Sequence, residues 1–401
     1  MRDALARAGI GQVLSRVRSG EIEVIEGGRS RSFGEPGAGL RATVRINDPA
    51  AWRGPYSGSV GLGEGYVDGL WETDDLVALI RIAARELRGL DGLRGLDGLR
   101  GLVARPRGLW HRLRCLVPEN TRAGARSNIS AHYDLGNDLF ESFLDERMMY
   151  SCAYYPAPEA SLEDAQLAKL DRICDRLQLG PENHLLEIGS GWGGMAIHAA
   201  RRSGCRVTTT TISRQQYELA SRRVREAGLE DQVTILLEDY RDLDGRFDRL
   251  VSVEMIEAVG WQYFDAYFRR CDELLTGDGL MLLQAITIDD GIYEVEKAAR
   301  SFANTHVFPG GCLPSRGLIA SCLERVTSMR EVWIDDITEH YPPTLATWRE
   351  RFFGAWEQLR GLGYDERFRR LWDFYLSSSE AGFRERRIGD VQLLFAKPGA
   401  R

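Results

Sequence analysis

The chain has 401 residues, 43% of them apolar and 9% aromatic, which suits a globular protein of one large or two unequal domains. A formal net charge of −7 disfavours a nucleic-acid binder. Seven scattered cysteines without a C-x-x-C pair and six dispersed histidines argue against a disulfide framework and against a metal site.

No apolar run reaches bilayer-spanning length, and the first 25 residues lack a secretory apolar block, so a cytoplasmic protein is expected. Near the N-terminus, "EIEVIE" (21–26) and "LRATVRI" (40–46) alternate like short strands. "TDDLVALIRIAAREL" (73–87) then puts Leu76, Leu79, Ile80 and Ala83 on one helical face, with Thr73 or Asp74 as cap. These elements predict a small α+β domain over 1–88.

"LRGLDGLRGLDGLRGL" (87–102) repeats a glycine-rich unit that suits neither helix nor strand, so 89–126 reads as a Gly/Arg-rich linker. Between Leu99 and Arg126 it carries seven arginines against one acid, Glu119. Its "GLWHRLRCLV" (108–117) suits either a segment lying on an anionic membrane surface or a solvated linker.

Beyond residue 127 strands and helices alternate. Apolar β-like runs stand at 184–189, 205–212, 232–238, 247–254 and 279–288, with amphipathic segments such as 213–228 between them. Two later runs, 329–336 and 391–397, complete a doubly wound, mostly parallel α/β sheet. In "LLEIGSGWGG" (185–194) a strand runs into a glycine turn that opens a helix, a place for close approach of a ligand to backbone. The turn alone fits a dinucleotide as well as S-adenosylmethionine. Glu187 before it, and "TTTTISRQQ" (208–216) where a dinucleotide site wants an acid, weigh toward S-adenosylmethionine.

Five ordered motifs are more specific. "SNISAHYDLGNDLFESFLDERMMYSCAYY" (127–155), the 185–194 turn, "TISRQQ" (211–216), "FPGGCLPS" (308–315) and "HYPPTLATW" (340–348) together resemble the cyclopropane-fatty-acyl-phospholipid synthase family, which includes the mycolic acid cyclopropane synthases. The resemblance implies a class I methyltransferase fold with a seven-stranded sheet over 127–401, helical insertions covering the lipid, and S-adenosylmethionine as methyl donor. It implies that Tyr150, Ser151, Glu187, Gly189, Gly191 and Gly193 touch that cofactor, that Thr211 and Gln216 meet its ribose, and that Asp239 and Tyr240 lie near the adenine. It implies a bound bicarbonate base held by Glu257 with Cys152, Gln284, Ile286 and Tyr341. It also implies a homodimer, peripheral on the inner membrane face, acting on unsaturated phospholipid.

Two acids, Glu254 and Glu257, interrupt the apolar "VSVEMIEAVG" (251–260). Glu254 sits where many family members carry glycine, and reads equally as a helix cap or a functional group. Gln284 and Ala258 replace histidines of many members, and Ser379 replaces a late cysteine. Glutamine donates and accepts hydrogen bonds but cannot shuttle a proton near neutral pH. The expected chemistry is methyl transfer to a cis double bond of an acyl chain, leaving a carbocation that loses a proton. Loss from the new methyl closes a cyclopropane, and loss from a chain carbon gives a methylene branch. Tyr133, Tyr154, Tyr155, Trp261 and Phe302 are candidate aromatic walls for the cation.

Overall fold

A computed structural model describes residues 2–91 and 136–400, so the arginine-bearing linker segment and Tyr133 lie outside the described residues. The chain forms two compact units. One joins the N-terminal segment with Ala299–Val307 and Phe353–Arg387, and the other takes the described residues from 136 onward that remain.

The first unit holds a four-stranded sheet of β1 (Glu21–Glu26), β2 (Arg29–Gly34), β3 (Arg41–Ile46) and β4 (Trp71–Thr73), in the order β2-β1-β3-β4. β1 and β2 meet through Gly27 and Gly28 at φ of +56° and +77°, the backbone a tight hairpin requires. Ile22, Val24, Trp52 and Ile82 pack beneath this sheet. The helix predicted after β4 spans Leu76–Asp91, with a different cap from the two expected. Asp75 Oδ1 accepts from Ala78 N at 2.8 Å, whereas Asp74 ties the helix start to β3 by accepting from Thr43 N at 2.7 Å.

In the second unit all seven predicted runs become strands of one sheet: β5 (His184–Ile188), β6 (Arg206–Thr210), β7 (Val233–Leu236), β8 (Phe247–Val253), β9 (Leu275–Ile288), β10 (Arg330–Asp336) and β11 (Ile388–Ala396). Their order is β10-β11-β9-β8-β5-β6-β7. The pairs β5–β6, β5–β8, β6–β7 and β8–β9 are parallel, and β11 alone runs against its neighbours β9 and β10.

Helices cover both faces, which is why the central strands read as unbroken apolar runs. Ala196, Ala199 and Ala200 of the helix Gly194–Ser203 pack on Leu185 and Val251. Phe264, Phe268 and Cys271 of the helix Phe264–Leu274 pack on Leu186, Leu250 and Leu283 from the other side. The chain winds one way from β5 and the other way from β8, so a crevice opens at the carboxyl ends of these adjacent strands, where sheets of this kind take ligands. Among the described residues, no helix is long and apolar enough to cross a membrane.

Candidate active site

Glu187 reaches the crevice from β5, and the turn after it is built from backbone that side chains rarely adopt. Gly189, Gly191 and Gly193 have φ of +97°, +47° and +84°. Around Gly191 a Cβ would meet nothing within 4 Å, so this corner is open to a ligand. Glu187 itself is buried, and its Oε2 has no partner. Burial pushes its carboxyl up to about 8. An orphaned carboxylate oxygen below an open glycine turn suits a cationic or hydroxyl-bearing ligand, so these residues fit S-adenosylmethionine.

Of the other cofactor candidates, Thr211 and Gln216 follow β6, and Asp239 and Tyr240 follow β7. Thr211 Oγ1 donates to Gln216 Oε1 at 2.8 Å, joining the two residues expected at the ribose. Asp239 caps the short turn Tyr240–Asp242 and holds Arg241 by a 2.6 Å ion pair, so its carboxylate shapes the loop. The ring of Tyr240 packs edge-on against Tyr267 at 5.5 Å. Ser151 Oγ accepts from Lys169 Nζ at 2.6 Å.

Two close approaches connect the turn to the two acids. A Cβ on Gly194 would stand 2.5 Å from Arg147 O, so the chain that leads to Tyr150, Ser151 and Cys152 crosses the start of the helix. A Cβ on Gly189 would stand 3.0 Å from the side chain of Met255, the residue after Glu254.

Of the two readings open for Glu254, the helix cap is not the one seen, since the turn that follows it has no side-chain cap. The Glu254 carboxylate is the centre of the cluster. Cys152 N donates to Oε1 at 2.8 Å, Gln284 Nε2 donates to Oε1 at 2.7 Å, and Tyr341 OH donates to Oε2 at 2.6 Å. Glu257 stands beside it in the turn Ile256–Ala258 and accepts from Ile286 N at 2.6 Å. So all five residues assigned to bicarbonate do come together, but three of the donors are engaged by Glu254. That cradle does not fit a separate anion.

The orientation of Gln284 follows from the residues behind it. Arg172 can only donate, so Gln392 presents its Oε1 to Arg172 Nε at 2.9 Å. Gln392 therefore turns Nε2 toward Gln284 Oε1 at 3.1 Å, which leaves Gln284 Nε2 facing Glu254. The same Nε2 reaches Asp390 Oδ2 at 3.1 Å. Asp390, Gln392 and Lys169 are buried members of the cluster that the sequence reading missed.

Their electrostatics separate the acids. Burial, then the charges of Glu254 and Glu257, push the Asp390 carboxyl well above the usual range. Burial and the charge of Glu254 push Glu257 up to about 8. Burial lowers Lys169, and the charges of Glu254 and Asp145 work against that. The Cys152 thiol is pushed up by burial and by Asp390 and Glu254, so this residue offers its backbone and no thiolate.

An aromatic cluster outside the expected set surrounds Tyr150. Tyr150 is ringed by Phe140, Trp348, Phe143 and Phe308, with centroids 5.2, 5.3, 6.1 and 6.3 Å away, and Trp348 leads on to Tyr341 at 6.4 Å. Trp261 is exposed with Lys297 over its ring, and Phe302 packs at a tilt against Phe374 in the first unit. Tyr154 and Tyr155 both lie against His340. Among the described residues, no cluster of His, Cys, Asp or Glu is arranged to hold a metal ion.

Comparison with known proteins gives the family. The model of the family described as mycolic acid cyclopropane synthetase matches residues 120–393. A tuberculostearic acid methyltransferase of Mycobacterium tuberculosis is 39% identical over 366 residues, covering 88% of this chain and 82% of that one. The cyclopropane-fatty-acyl-phospholipid synthase of Escherichia coli strain K12 is also 39% identical, over 359 residues, covering 89% of this chain and 88% of that one. A crystal structure of a mycolic acid cyclopropane synthase complexed with SAH and CTAB superposes with a TM-score of 0.63 at 30% identity, covering 68% of this chain and 98% of that one.

Proposed function

Given that the chain belongs to the mycolic acid cyclopropane synthetase family and is an S-adenosylmethionine-dependent methyltransferase of that type, we propose that it alkylates the cis double bond of an unsaturated phospholipid acyl chain to give a cyclopropane fatty acid. The observation that carries this reading is the placement of a carboxylate, Glu254, one residue from the contact with the glycine turn, beside an aromatic wall.

S-adenosylmethionine, when bound, supplies an electrophilic methyl group. The turn from Glu187 to Gly193 and the pair Thr211–Gln216 hold the donor. An isolated alkene is a weak nucleophile, so alignment and exclusion of water must supply much of the acceleration. The rings around Tyr150 form an apolar face suited to both tasks, and aromatic faces attract the positive charge that develops on the chain. An acceptor group must then take a proton. Bicarbonate does not fit this role, because the donors it would need are held by Glu254.

A second product is supported by the relative named as a methyltransferase, which is as similar to this chain as the relative named as a cyclopropane synthase. In that reading the proton leaves a chain carbon and a methylene branch results. We place the acyl chain's source in an anionic membrane, docked through the arginines between Leu99 and Arg126.

The test is purified protein with S-adenosylmethionine and vesicles of cis-monounsaturated phosphatidylglycerol, followed by gas chromatography–mass spectrometry of the released fatty acids. A product heavier by one CH2 is expected. Resistance to mild hydrogenation marks the ring, and uptake of hydrogen marks the methylene. Unchanged lipid from folded, donor-binding protein overturns the reading.

A further inference from the structure

Three donors from three distant parts of the chain converge on one side chain. Cys152 precedes β5, Gln284 lies in β9, and Tyr341 follows β10, yet all point at Glu254. Both oxygens of Glu254 accept, so the group is held as an acceptor, the form a base requires. Its placement is also strained. Glu254 adopts φ of +48°, a left-handed conformation that is unfavourable for a residue with a side chain and open to glycine. Strain of this kind persists where the surroundings over-determine it, which is characteristic of functional positions. Asp390 and Gln284 are fully buried behind the carboxylate, while Glu254 and Glu257 remain partly exposed, and of these two it is Glu254 on which the three donors converge.

We propose that Glu254 is the built-in general base of the reaction, a tethered carboxylate that makes the enzyme independent of any dissolved anion. This rests on the methyl transfer proposed above and adds its second half. The alkene π pair forms the bond to the incoming methyl carbon, and the pair of the broken S–CH3 bond stays on sulfur. The carbocation left on the neighbouring carbon then loses a proton to a Glu254 oxygen. The C–H electron pair closes the ring or, in the branched alternative, forms the methylene double bond. Glu254 ends as a neutral carboxylic acid and returns its proton to water when the product leaves. Gln284, Tyr341 and the Cys152 amide aim the carboxylate without taking the proton themselves.

The experiment compares the wild type, Glu254→Gln and Glu254→Gly on vesicles in carbonate-free buffer, with and without added sodium bicarbonate. Donor affinity by isothermal titration serves as the control for folding. Glycine is favoured at this φ, so Glu254→Gly is expected to fold at least as well as the wild type. The wild-type rate is expected to change less than twofold on adding bicarbonate. Glu254→Gln is expected to lose about 100-fold or more and to stay inactive, because the amide fills the cradle but accepts no proton. Glu254→Gly is expected to be equally slow without bicarbonate and to recover about 10-fold or more, saturably, with it. A wild-type rate that collapses without bicarbonate, or an active Glu254→Gln, overturns the proposal and leaves the methyl-transfer reading standing. Unaltered lipid with the wild type under both conditions overturns both.

Discussion

The phenol of Tyr341 donates to Glu254 Oε2 at 2.6 Å across 87 residues of chain, the shortest of the three bonds that aim this carboxylate. Tyr341→Phe removes that bond and leaves the ring packed near Trp348. A hydrogen bond to a charged group contributes about 1.5–3 kcal/mol, so kcat is expected to fall roughly 10- to 100-fold with donor affinity unchanged. Steady-state kinetics beside isothermal titration check both halves.

Glu187 is expected to reveal itself through pH. Burial holds its carboxyl near 8, so before the donor binds at pH 7 the proton is mostly on. A cationic or hydroxyl partner favours the ionised form, so binding releases a proton and affinity rises as pH goes from 6 to 8. Titration in two buffers of different ionisation enthalpy reads that proton directly. Glu187→Gln should abolish the release and weaken binding about 10-fold or more.

Glu257 makes the opposite kind of statement, about stability. Its folded-state value, about 8, lies above its ordinary value of 4.5. A carboxyl raised on folding contributes stability that is full below the ordinary value and is lost as pH rises to the folded one. Within that window one such group removes roughly 1.4 kcal/mol per pH unit. Glu257→Gln keeps an acceptor for Ile286 N and is expected to flatten this slope. Urea midpoints measured from pH 5 to pH 8 test it, and parallel slopes for the two proteins would count against the assignment.

Gln392 acts through Gln284 and is a positioning residue. Glu at 392 still accepts from Arg172 but sets a second oxygen against Gln284 Oε1, which turns the Gln284 amide over and points its oxygen at Glu254. Gln392→Glu is therefore expected to lower kcat about 10-fold or more while the KM for the donor holds. Equal losses in kcat and donor binding would mark a merely structural role.

The proposed docking on a membrane rests on charge in the sequence between Leu99 and Arg126. Changing Arg105, Arg107, Arg112 and Arg114 to Glu is expected to weaken binding to anionic vesicles by about 10-fold or more at low salt, with the difference shrinking as salt is added. Co-sedimentation across a salt series measures this, and unchanged binding favours a solvated linker.

The large sheet was legible because both its faces are covered. Runs such as Leu185–Leu186 and Leu280–Leu283 have no polar face to interrupt them. β2 was not legible, since "RSRSFG" is an exposed edge strand with little apolar signal. The glycine turn lies in a quoted motif, whereas Glu257, Gln284 and Ile286 came only with the family resemblance, which gave the anion to Glu257 and left Glu254 between cap and function. Which one receives the donors depends on a backbone torsion at Glu254 and on partners 30 to 102 residues away. Lys169 did carry a readable signal. It shares a helical face with Leu162, Ala165, Gln166 and Ile173, all buried, which marks a lysine turned inward. Trp261, one of the candidate rings, lies exposed under Lys297, a setting that sequence alone does not show.

β11 is synthesised after the other six strands of its sheet, yet it inserts between two of them and carries Asp390 and Gln392 with it. A nascent chain can therefore acquire its donor-binding turn long before its proton acceptor is aligned. Until that strand arrives, Gln284 has nothing to fix which way its amide faces, and the edges of β9 and β10 lack their shared partner. Truncation or unfolding confined to this one strand should thus uncouple holding the donor from using it.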